Sequence, residues 1–280
     1  MRPAAATLLL LALAPPLPAA EPTAHRGLAY AGTKNEKQTL DVYAEPGGKG
    51  RPVAVWVHGG GWQAGDKKDV NRKPVAFAEK GYVFVSVNYR LIPEATIGEM
   101  AADVAKAVRW VREHAAEYGG DPDRLVVTGH SAGAQLAALV CTDDRYFRAE
   151  GVPPAAVRAC VPVDGDTYDV PLQIRTVEQR RAEIYRRKFG DEAAQKHLSA
   201  VTHAAKGKGI PPFLILHVKD HSEVTAQSNR LVAVLADAGV SARAYPATGK
   251  THVSLDADLG TPGDEPSRAM FDFLAATLKK

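Results

Sequence analysis

One stretch constrains the fold of this chain more than any other. In Val126-Val127-Thr128-Gly129-His130-Ser131-Ala132-Gly133-Ala134-Gln135-Leu136, an apolar run breaks at a Gly-x-Ser-x-Gly pentapeptide and resumes as an Ala/Leu-rich segment. That order reads as a strand, a sharp turn carrying a serine, and a helix. Glycine stands two places either side of the serine because the turn brings backbones too close for a Cβ. The serine itself is forced into a strained conformation that lifts its hydroxyl clear of the sheet, beside a helix N-terminus. A chain with 24 glycines in 280 residues can contain such a pentapeptide by chance, so the reading depends on what surrounds it.

The surroundings alternate. Residues 53–57 are continuously apolar, as a strand covered on both faces must be, and run directly into His58-Gly59-Gly60-Gly61-Trp62. Short β-runs at 28–30 and 39–43 suit an antiparallel start, and further strands are expected at 82–87, 125–128, 159–163, 213–217 and 241–245. Helices are expected at about 70–78, 99–118, 223–237 and 266–278, besides the one after Ser131. In the second of these Met100, Val104, Ala107, Val108 and Val111 recur at three- and four-residue spacing, and Gly119-Gly120 stops it. Alternation of this kind predicts an α/β fold with a doubly wound, mostly parallel sheet and ligands at the carboxyl ends of its strands. Residues 166–208 break the alternation and read as a small helical cap insertion in a single domain spanning 21–280.

Charge excludes some functions. Thirty-five basic against 32 acidic side chains leave a net charge of +3, with no basic run to track a phosphate backbone, so nucleic acid is not an expected partner. The densest basic patch, Arg180, Arg181, Arg186, Arg187 and Lys188, is interleaved with Glu178, Glu183, Asp191 and Glu192 and reads as a solvated helix face. Met1 and Arg2 precede an apolar run at 4–14 and then Pro18-Ala19-Ala20, the layout of a signal peptide over residues 1–20; the run is too short for a membrane span. The expectation is export to a periplasmic or extracellular location. There Cys141 and Cys160 could pair, or could both be buried small hydrophobes. No metal site and no cofactor are expected. His217 and His221 have a zinc-like spacing but not on a helix, and Asp164-Gly165-Asp166 with Asp169 reads as turn chemistry rather than a calcium loop. Nothing in the sequence speaks to oligomeric state.

A parallel sheet sends His58 to Trp62, Ser131, Asp164, Asp220 and the loop at His252 to one edge. A serine hydroxyl is a poor nucleophile unless a base accepts its proton, and the base needs a carboxylate to hold its tautomer. Asp220 and His252, following the last two strands, are the expected acid and base. Glu223 and Asp164 are the alternatives for the acid, His203 and His221 for the base. The N–H groups of Gly60, Gly61 and Ala132 are the expected oxyanion donors. Trp62 is expected to bind substrate or to pack beneath the glycine loop, His58 to brace that loop, and His130 to be structural.

His58-Gly59-Gly60-Gly61-Trp62, Gly65-Asp66-Lys67, Asn88-Tyr89-Arg90-Leu91 and Gly129-His130-Ser131-Ala132-Gly133 together resemble the HGGG-type esterases of the α/β-hydrolase superfamily. The resemblance is to the carboxylesterase, acetylxylan/feruloyl esterase-like and kynurenine formamidase-like branch, and spans about 39–278. It implies the α/β-hydrolase fold and a hydrolytic mechanism, though not which ester; taken with the signal-peptide layout, the expectation is an exported serine carboxylesterase acting on short-chain or carbohydrate-linked esters through an acyl-enzyme. The runner-up within the branch is an amide hydrolase like kynurenine formamidase; outside it, a non-catalytic binding protein on the same scaffold. One departure concerns the acid: the family's His-Gly-x-x-Asp is here His217-Val218-Lys219-Asp220, one residue shorter.

Overall fold

Strands that are apolar on both faces must be covered on both, and the computed structural model, which describes residues 21–279, shows how. The expected signal peptide lies outside the described residues. Eight strands form one sheet in the order β1-β2-β4-β3-β5-β6-β7-β8: β1 (Thr23–Ala29), β2 (Thr39–Ala44), β3 (Arg51–Val57), β4 (Val83–Val87), β5 (Gly120–His130), β6 (Val157–Val163), β7 (Phe213–Val218) and β8 (Ala242–Ala247). The first two strands run antiparallel to their neighbours and the rest are parallel.

Helices α2 (Ile97–His114) and α3 (Ala132–Thr142) cover one face, where Met100, Val104, Val108, Leu136 and Val140 pack with Val55 and Val127. Helices α1 (Lys73–Glu79) and α11 (Glu265–Leu278) cover the other, bringing Phe77, Met270 and Leu274 against Trp56, Val126 and Leu214. A capping box between Thr96 and Glu99 starts α2 two residues earlier than its apolar spacing suggested. Strand β1 is also longer than expected, because Thr23 to His25 pair with Val42 to Ala44 on an edge where side-chain pattern is weak.

After β6 the chain makes the cap: α5 (Val170–Thr176), α6 (Gln179–Phe189), α7 (Glu192–His197) and α8 (Ala200–His203). Helix α4 (Asp144–Ala149) follows α3, α9 (Ser222–Asp237) follows β7, and α10 (His252–Ala257) follows β8. No helix among the described residues is long and apolar enough to cross a membrane. Cys141 and Cys160 are both buried free thiols, and Cys160 Sγ donates to Ala137 O at 3.7 Å. Parallel register aligns the strand ends that matter: Val57 lies opposite Gly129, His130 opposite Val163, and Val163 opposite Leu216.

Candidate active site

The turn after β5 has the strain its sequence implied. Ser131 has φ 55° and ψ −118°, its N–H donates to Val163 O at 2.9 Å, and its carbonyl accepts from Ala134 and Gln135. A side chain at Gly129 would put Cβ 2.6 Å from Val57 O, and one at Gly133 would put it 2.1 Å from the same oxygen. The two glycines of the pentapeptide are thus needed for close approach to the end of β3, which is the strand that launches the glycine loop.

That loop folds back on itself. Gly60, Gly61 and Trp62 all have positive φ, at 120°, 59° and 63°. His58 Nδ1 donates to Gly59 O at 2.7 Å, and Gly60 O accepts from the N–H groups of Gln63 and Ala64 at 3.1 and 3.0 Å. The carbonyls of the two peptides whose N–H groups belong to Gly60 and Gly61 are therefore both engaged, which orients and polarises those N–H groups. Among the described residues neither N–H makes a hydrogen bond of its own, nor does that of Ala132, the first residue of α3. A Cβ on Gly59 would lie 3.2 Å from Ser131 Cβ, so loop and serine are in direct apposition.

The remaining motifs brace this loop from behind. Tyr89 stacks on His58 with ring centroids 4.4 Å apart and donates to His58 O at 2.9 Å. Asn88 Oδ1 accepts from Lys67 N at 2.6 Å and its amide reaches Asp66, while Lys67 Nζ makes a buried ion pair with Asp41 at 2.6 Å. Arg90 grips Asp103 with two nitrogens at 2.7 and 2.8 Å. Burial keeps the His58 imidazole below its ordinary pKa, hence neutral and able to hold a fixed tautomer.

His252 stands at the first turn of α10, placed by a capping box between Thr251 and Ser254. Its Nδ1 is 2.6 Å from Oδ2 of Asp164, not of Asp220. The expectation of an Asp220 pairing is corrected: Asp220 is exposed in the turn after β7 and makes no bond to His252 among the described residues. The reason lies in the shortened turn. Instead of supplying a carboxylate, the end of β7 supplies the Val218 N–H, which donates to Asp164 Oδ1 at 2.7 Å. Asp164 follows β6 directly, with φ 52°, and its side chain is fully buried. Burial alone raises its pKa, but hydrogen bonds from His252 and Val218 and the imidazolium charge outweigh this and hold it low. The hydrogen bond to Asp164 correspondingly raises His252, against its partial burial.

Two further expected residues take their places. His130, expected to be structural, packs on the base: its ring lies 4.4 Å from that of His252, and its Nε2 is 3.0 Å from His252 O. Burial lowers its pKa to about 4, so it is a neutral donor that fixes the backbone of the histidine at 252. Trp62 does not offer a face to a substrate. Only 4% exposed, it donates to Gln135 Oε1 at 3.2 Å and meets Phe189 edge-on at 5.0 Å, so it packs beneath the loop and the substrate-binding expectation is corrected.

Residues 40–235, well over half of the chain, match the family BD-FAE. The chain belongs to the BD-FAE family. Membership agrees with the α/β-hydrolase esterase branch to which the sequence motifs pointed. Among curated relatives, Esterase LipQ of Mycobacterium tuberculosis is 31% identical over 87% of this chain and 60% of its own length. The chain thus spans about three-fifths of that relative. Among solved structures, an inhibited esterase B from Lactobacillus rhamnosis superposes with TM-score 0.77 at 23% identity, covering 92% of this chain and 87% of that one. A truncated carbohydrate esterase from gut microbiota gives 0.71 at 22% identity over 93% and 98%. These likenesses establish that the BD-FAE chain has the α/β-hydrolase fold.

Proposed function

We propose that this BD-FAE member is a serine ester hydrolase working through an acyl-enzyme. The observation that carries the reading is the His252–Asp164 pair standing at the same sheet edge as a strained Ser131, beside which the glycine loop leaves two N–H groups unspent and the start of α3 a third. Ser131 Oγ attacks the ester carbonyl while His252 Nε2 takes its proton, and Asp164 holds the imidazole and stabilises the imidazolium. The carbonyl oxygen, now negative, lies on the N–H groups of Gly60, Gly61 and Ala132. Collapse breaks the C–O bond, and His252 returns the proton to the departing alcohol. Water then repeats the sequence on the acyl-serine, giving the acid and free Ser131.

A short-chain or carbohydrate-linked ester is the substrate class in this reading; the esterase names of the curated and structural relatives support it. The signal-peptide layout of residues 1–20 supports export, tested by N-terminal sequencing of the processed protein; an intact Met1 in the exported fraction, or no export, would refute it. The nucleophile is tested with Ser131→Ala on p-nitrophenyl acetate and with a fluorophosphonate probe. Loss of about 10⁴-fold or more in kcat with no labelling is expected. Full activity in Ser131→Ala would remove the assignment, and an unlabelled, inert wild type would favour a binding protein on this scaffold.

A further inference from the structure

Helix α6 carries the basic patch whose charge pattern reads as solvated, and Arg186 and Arg187 are indeed exposed. Lys188 is not. It turns inward across the cap, placing Nζ 2.9 Å from Gly61 O and 5.3 Å from the centre of the Trp62 ring. Phe189 beside it closes on the same ring. At the other end of the helix, Arg181 pairs with Glu223 and lies 3.6 Å from Asp166, on whose carboxylate Tyr185 also donates. Asp166 is two residues beyond Asp164. The helix is therefore fixed at one end to the turn that supplies the acid and at the other to the glycine loop.

A half-buried ammonium is a costly way to fill that space. Desolvation lowers the Lys188 pKa below the ordinary lysine value, and an apolar side chain would pack against Trp62 without this cost. What the ammonium adds is a charge-assisted hydrogen bond to a carbonyl in a loop that needs restraint. Three successive residues there have positive φ, one of them a tryptophan, a strained conformation for a residue with a Cβ. The Gly59 and Gly60 carbonyls are held from within the loop or by His58, whereas the Gly61 carbonyl is held from the cap.

We propose that Lys188 is a positioning residue for the oxyanion loop: it pins the Gly61 carbonyl, in the peptide immediately after the two donors, so that Gly61 keeps the backbone conformation in which the N–H groups of Gly60 and Gly61 face the developing oxyanion. The cap is then part of the catalytic apparatus and not only a wall around the substrate. The proposal rests on the esterase reading, so wild-type turnover of p-nitrophenyl acetate and wild-type labelling by a fluorophosphonate are measured first. An inert, unlabelled wild type would overturn both.

With an active wild type, Lys188→Met keeps the aliphatic stem and removes the charge and the donor. Expected is a fall in kcat of about tenfold to a hundredfold, the scale of a small misplacement at a reacting centre, with KM changed by less than about threefold. The rate of Ser131 phosphonylation should fall in parallel, because that reaction uses the same N–H groups. Lys188→Arg and Lys188→Gln, which keep a donor, should recover much of the loss and serve should the methionine variant not fold. Wild-type kcat in Lys188→Met would overturn the proposal. So would a rise in KM alone with unchanged phosphonylation, which would make Lys188 a substrate contact.

Discussion

A carboxylate can orient an imidazole only if its backbone stands where the ring can reach it, and this separates Asp164 from Asp220. Asp164 sits one residue beyond a buried strand, in a left-handed conformation that asparagine and aspartate tolerate best, with one oxygen on Val218 N–H and the other on His252. Asp164→Asn should therefore lower kcat by about 10⁴-fold, whereas Asp220→Asn, altering an exposed turn, should stay within about twofold of wild type. The reverse ranking would reinstate Asp220. The pair also fixes a pH dependence. The base must be neutral to accept the serine proton, and its pKa is raised from 6.5 by the bond to Asp164, so kcat/KM should climb with pH along a limb whose midpoint lies above 6.5. A midpoint at or below 6.5 would contradict the pairing. What was legible here was the strained turn at Ser131 and the gathering of the glycine loop and His252 around it. The acid was not, because a carboxylate follows each of two adjacent strands, and only the turn length hinted which one is used. The partner of His130 was not legible either: its contact is to a backbone carbonyl 122 residues away, which leaves no trace in spacing.

At the scale of elements, the strand ends and the glycine loop are held together by contacts that exclude side chains. The Gly133 hydrogen faces the carbonyls of Val57 and His58, and a Cβ there would lie 2.1 and 2.5 Å from them. Backbone cannot yield as a flexible side chain can. Gly133→Ala should push α3 away from the end of β3, destabilise the fold by about 2–4 kcal/mol and abolish fluorophosphonate labelling. An alanine variant with an unchanged urea midpoint and normal labelling would show that the elbow does not need this approach. The strands themselves were easy to read because burial on both faces writes an uninterrupted apolar run, as at 53–57 and 213–216. The cap was readable only as helical and charged. Charge pattern places five basic residues on α6 but cannot say that Arg181 and Lys188 turn inward while Arg186 and Arg187 face solvent.

At the scale of the whole molecule, the histidine at 252 depends on a tie that spans most of the chain. Helix α10 begins with His252 and carries Asp256, whose carboxylate forms an ion pair with Lys73 of α1 at 2.8 Å and whose backbone carbonyl accepts a hydrogen bond from the same ammonium at 2.8 Å. The Lys73 side chain is fully buried and its ammonium lies 4.6 Å from the Trp56 ring, so the early and late parts of the chain meet beneath the site. Periodicity could not announce this, since a lysine at the start of a helix is by pattern a solvated one. Removing one partner of a fully buried pair costs several kcal/mol, but Asp256 keeps 25% of its side-chain surface exposed and water can recover part of the loss. Lys73→Met, which fills the same channel with an apolar stem, should therefore cost about 1–3 kcal/mol and lower Tm by several degrees. It should also reduce kcat, because α10 is what positions His252. The cycle with Asp256→Asn decides whether the pair is the cause. If it is, the double variant should be about 0.5–3 kcal/mol more stable than the sum of the single losses predicts; if the losses simply add, the two side chains act independently and α10 is held by packing alone.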